Sequence, residues 1–174
     1  MKTMKTTDLV LCAFFAALSA VLSQISIPFG LVPINLTHIS VFLAAGLLGA
    51  RAGAVSQIVF VLLGAAGLPV FSGFQGGVGI IAGPAGGFIA GYIACAFVTG
   101  LLAGRFGKSM KALTAAMYAG WAVTYAPGLL WFMHVTNIGL TAALAACVLP
   151  FLPGDALKTV LCAALINRLR LRAG

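Results

Sequence analysis

The apolar run LTHISVFLAAGLLGARAGAVSQIVFVLLGAAG, residues 36–67, decides the fold of this chain. It is longer than the roughly 20 residues that one membrane-crossing helix needs. It is also interrupted at Gly49-Ala50-Arg51-Ala52-Gly53, where glycines flank a charge. Read as one span, it gives five spans in all and puts Arg105, Lys108, Lys111, Arg168, Arg170 and Arg172 on the side opposite Lys2 and Lys5. Read as two, it gives six spans, and Lys2, Lys5, Arg51, Arg105, Lys108, Lys111, Arg168, Arg170 and Arg172 all fall on one side. Nine of the ten basic residues then follow the preference of Lys and Arg for the cytoplasmic face. The split predicts an all-α, integral membrane six-helix transmembrane bundle with both termini cytoplasmic.

Composition agrees with a membrane protein. With 62% hydrophobic and 7% charged residues among 174, the chain has too little polar surface to enclose its apolar side chains in water. The net charge of +8 is spread between apolar runs instead of gathered on one face, which argues against a nucleic-acid partner and for a lipid bilayer. Cys12, Cys95, Cys147 and Cys162 lie inside apolar segments without metal-ligand spacing and read as small core residues, so no metal and no cofactor is expected. Lys2 and Lys5 before the run 9–22 also have the outline of a signal peptide, but a retained first helix is the simpler account.

The expected spans of this single transmembrane domain, residues 1–174, are 7–27, 36–49, 53–67, 78–104, 112–133 and 154–169. Residues 138–149 are apolar but too short to cross and are expected to cover the outer face. In the first span Ala13, Ala16, Ala17 and Ala20 have the small-residue spacing that admits another helix, although alanine is also simply common in such helices. The glycine-rich region 64–91 matches no phosphate-binding spacing. Gly79, Gly83, Gly87 and Gly91 instead form a bare stripe open to a backbone or a flat ligand, with a kink expected at Pro84. Trp131 and Tyr125 suit either interfacial anchoring or the wall of a ligand pocket. His134, without a companion ligand nearby in sequence, reads as an interface residue.

The segment PFLPGDALK, residues 150–158, stands apart because it puts Asp155 and Lys158 in an apolar region, with Lys158 the one exception to the charge rule. Such residues at membrane depth are costly and mark functional sites. At i, i+3 they share a helix face, so an acceptor and a donor address the same space. That pairing suits a small, flat, polar head carrying both N–H and C=O. A first-turn aspartate that merely caps its helix is the structural alternative. Catalysis is disfavoured, since the only other carboxylate, Asp8, lies at the cytoplasmic start of the first span. No nucleotide-binding motif is present, so any energy for transport must come from partners.

Several motifs are similar to those of the biotin-specific S-components of energy-coupling factor transporters, the BioY family: Ala16-Ala17, Gln24-Ile25, Gly67-Leu68-Pro69-Val70-Phe71, Gly83-Pro84-Ala85-Gly86-Gly87-Phe88, and Pro150-Phe151-Leu152-Pro153-Gly154-Asp155 with Lys158. The resemblance covers nearly the whole chain. It implies a six-helix cell-membrane protein that captures biotin from outside and works with a membrane coupling subunit and two ATP-hydrolysing subunits. It further implies that Asp155 and Lys158 hold the ureido ring, that Ala13, Ala16, Ala17 and Ala20 dock the coupling subunit, and that the first and third connectors cover the ligand. Gln75 is a candidate for a further polar contact. Phe88 stands where the family usually has Tyr, and Asn35, Thr37 and His38 depart from its usual Thr-Leu-Gln-Thr pattern. An S-component for another vitamin, such as riboflavin or thiamine, and a membrane scaffold subunit remain the alternative readings.

Overall fold

The computed structural model describes residues 4–107 and 109–173, with the backbone alone at 170–173. Lys2 and Lys108 lie outside the described residues, as do the side chains of Arg170 and Arg172. Helix α1, Thr6–Gln24, begins where the Asp8 carboxylate accepts the Lys5 N–H at 3.0 Å, an acid in the first turn that also suits the helix dipole. A short hairpin follows, with β1, Ser26–Ile27, antiparallel to β2, Ile34–Asn35. Helices α2, Thr37–Leu48, and α3, Ala50–Ala65, meet at Gly49, whose φ of +86° is left-handed backbone that glycine adopts without a side-chain clash. Gly53 lets the two helices touch at this corner: a Cβ there would stand 3.0 Å from the Ala45 Cα.

The expected segment 78–104 is not one kinked helix. It holds α4, Val78–Ala82, and α5, Gly86–Arg105, separated by Gly83-Pro84-Ala85. Pro84 lacks an N–H and its ring crowds the preceding turn, and Gly86 passes too close to the Ile81 carbonyl for any side chain. The chain therefore breaks and restarts. Helix α6, Met110–Thr136, is capped by the Ser109 hydroxyl, which accepts the Ala112 N–H, and continues through Pro127 to left-handed Asn137. There it bends by 117° into α7, Leu140–Cys147, and the chain ends in α8, Leu152–Ala173.

By length and composition α1 and α5 can cross a membrane, and α6 with α7 would add a third crossing if that bent pair counts as one; α2 and α3 are shorter apolar helices. Leu9, Val10, Phe14 and Val21 of α1 and Leu157, Val160 and Leu161 of α8 point outward. An apolar exterior of this extent suits lipid better than water. Inside, α5 packs along α6 through the glycine stripe: a Cβ on Gly91 would lie 3.1 Å from the Thr124 Cα, and one on Gly87 would lie 2.5 Å from the Trp131 Cβ. Gly79 has no neighbour within 4 Å, so the stripe serves helix contact at its inner end only. Helices α1, α2 and α3 are joined by fully buried polar groups. Gln57 Nε2 donates to Ser19 Oγ (3.2 Å), Ser19 Oγ to Ser40 Oγ (3.0 Å), and Ser40 Oγ to the Phe15 carbonyl (2.9 Å). Cys12, Cys95, Cys147 and Cys162 are free and buried.

Candidate functional site

Asp155 and Lys158 occupy successive turns at the start of α8 and are 4% and 7% exposed. The Asp155 N–H already donates to the Phe151 carbonyl at 2.9 Å, so the helix is under way when it reaches the carboxylate. Among the described residues that carboxylate accepts no backbone N–H; its partners are the Lys158 ammonium at 3.1 Å and the Tyr125 hydroxyl. The capping role is therefore not the one observed. Desolvating two such charges is expensive and is offset only when their hydrogen-bonding capacity is met. Asp155 is well supplied, whereas Lys158, with three donors, has one partner among the described residues.

The neighbouring side chains hold this pair in an aromatic wall. Trp121 Nε1 donates to Thr159 Oγ1 at 2.9 Å, and that hydroxyl donates to the Asp155 carbonyl at 2.7 Å, which ties α6 to α8. The indole stacks on Tyr125 at 5.6 Å, and the Lys158 Nζ stands 5.9 Å from its centroid, a cation–π distance. On the other side the His38 ring lies 3.9 Å from Trp121 and meets Tyr92 edge-on at 4.8 Å.

His38, Tyr92, Trp121, Tyr125, Asp155 and Lys158 line one chamber, and a second chamber adjoins it. Val32, Pro33, Asn35, Phe88 and Tyr92 belong to both. The second chamber is neutral, with polar groups from Asn35, Ser72 and Gln75 and apolar walls from Phe60, Phe71 and Ile80. Two connectors border it and are tied in place by hydrogen bonds. Asn35 Nδ2 donates to Ser72 Oγ at 2.8 Å, and Gln24 at the end of α1 accepts the Phe74 N–H at 2.9 Å while donating to the Phe71 carbonyl at 3.1 Å.

Of the residues singled out in the sequence, Asp155, Lys158, Tyr125 and Phe88 meet in the charged chamber, and Gln75 lies in its neighbour. Trp131 lines neither chamber. Its Nε1 donates to the Gly83 carbonyl at 2.9 Å, so it serves the backbone at the α4–α5 break. The four alanines of α1, at i, i+3, i+4 and i+7, form one stripe that runs along the border between the exposed and buried sides of the helix. Ala13 and Ala17 are exposed, Ala20 is half-buried, and Ala16, 1% exposed, is enclosed by the protein's own helices.

The sequence profile of the BioY family matches residues 1–173. The chain belongs to the BioY family. A biotin transporter BioY of Rhizobium etli is 43% identical, over 95% of this chain and 93% of that protein. The corresponding protein of Thermotoga maritima is 38% identical over 94% and 95%. The crystal structure of the S-component for biotin from an ECF-type ABC transporter superposes with a TM-score of 0.88 at 28% identity, covering 97% of this chain and 95% of that one. The BioY resemblance drawn from the proline and glycine motifs therefore holds. What the motifs did not reveal are His38, Tyr92, Trp121 and Thr124, which come from three helices and meet only in the fold. The departure of Asn35, Thr37 and His38 from the family pattern was the one signal, and two of those three residues line the charged chamber.

Proposed function

We propose that the chain is the substrate-binding S-component of an ECF-type transporter and captures biotin for uptake into the cell. It is a transport subunit and not an enzyme. The observation that carries this reading is the buried Asp155–Lys158 pair facing a chamber, with ammonium donors left without a partner among the described residues. In this reading Lys158 donates to the ureido oxygen of biotin and Asp155 accepts a ureido N–H, while Trp121, Tyr125 and Phe88 enclose the fused rings. Each charge-assisted bond of this kind contributes about 1.5–3 kcal/mol.

The same reading makes the chain a multi-pass cell-membrane protein of six spans with both termini cytoplasmic, residues 138–149 lying over the outer face. The distribution of nine of ten basic residues supports this orientation. A membrane coupling subunit and two ATP-hydrolysing subunits supply the energy, and the coupling subunit docks on the outward face of α1 at Ala13 and Ala17. Biotin is cargo, and no cofactor takes part.

Equilibrium binding to the purified protein tests the assignment, with biotin, riboflavin and thiamine as ligands and Asp155→Asn and Lys158→Ala as variants. We expect biotin alone to bind and both variants to weaken it at least tenfold. Unchanged affinity in both would sink the site, and preference for another vitamin would sink the substrate.

A further inference from the structure

We infer that His38 is a ligand-contacting residue that hydrogen-bonds the polar head of the substrate beside Asp155 and Lys158; this rests on the transport reading above. His38 lines the charged chamber and is 8% exposed, yet its Nε2 has no hydrogen-bond partner among the described residues. Buried polar atoms are paired in the great majority of cases, and an orphaned one calls for a partner absent from the chain itself.

The surroundings say which kind. Trp121, Tyr92 and Phe42 surround the ring by faces and edges, so packing holds it while its Nε2 is left over. Trp121 is also the surface on which Lys158 rests, and Tyr125, stacked on the same indole, holds Asp155. A ligand head seated on the ion pair therefore comes against the imidazole. A head with both N–H and C=O can engage such a ring whichever nitrogen carries the proton. Because an unmet polar group opposes binding more than a missing methyl does, a histidine here discriminates between ligands by their polar edge.

Two measurements test this. Biotin and 2-iminobiotin, altered only at the ureido oxygen, are titrated into the wild type and His38→Phe, which retains a ring against Trp121. We expect biotin affinity to fall at least tenfold in His38→Phe and the preference between the two ligands to change, with His38→Gln intermediate. Equal affinity and equal preference in all three proteins overturns the role of His38, whereas a wild type that ignores biotin overturns the transport reading instead. In the second, the native chain is labelled with ¹⁵N-histidine. Its two histidines are His38 and the exposed His134, which serves as internal control. Biotin should move the ring-nitrogen signals of His38 by several ppm and leave those of His134 in place. A His38 signal unmoved by bound biotin overturns the inference even if His38→Phe does not fold.

Discussion

At the scale of single residues, the Asp155–Lys158 pair costs stability if either member is left alone. Lys158→Ala strands a buried carboxylate and is expected to destabilise the fold by about 3–5 kcal/mol. Adding Asp155→Asn to it should recover much of the thermal midpoint without restoring ligand binding, which separates the charge's structural role from its binding role. Tyr125→Phe removes one bond to the carboxylate and should weaken biotin by about 0.5–1.5 kcal/mol, read by titration calorimetry. The pair itself was legible because a carboxylate and an ammonium stand out in apolar sequence. His38, Tyr92 and Trp121 were not, since aromatic residues in an apolar helix look the same whether they face lipid, core or cavity. Trp131 suited an interfacial anchor or a pocket wall, and the partner of its indole N–H, a carbonyl 48 residues away, was visible only in the fold.

At the scale of elements, the corner at Gly49 was readable because glycine and charge interrupt a hydrophobic run. The break at Pro84 was only half readable. Proline predicts a kink, but whether the helix bends or stops depends on Gly86 and on what the neighbouring backbone allows, and Pro127 in α6 shows the other outcome. The glycine stripe was legible as a contact face, without its partner. With α5 against α6, Gly91→Leu must push the Thr124 backbone aside. Overpacking of this kind costs about 1–3 kcal/mol. A lowered denaturation midpoint together with weakened biotin binding is the expected result, since Thr124, Tyr125 and Tyr92 border that seam.

For the whole molecule, the helices hold a two-chambered site and keep an apolar exterior. Partner docking belongs to this scale. Ala17→Trp adds bulk on the exposed side of α1, at a position that lines neither chamber, and should abolish co-purification with the coupling subunit while leaving biotin affinity unchanged. Loss of both would instead mean that α1 had been misfolded. The burial of all four thiols has a practical meaning as well. Cys147 belongs to the wall of the charged chamber and is 2% exposed, so a bulky maleimide can reach it only when the packing around that chamber opens. Its labelling rate is thus a native clock for door opening. It should slow when biotin occupies that chamber.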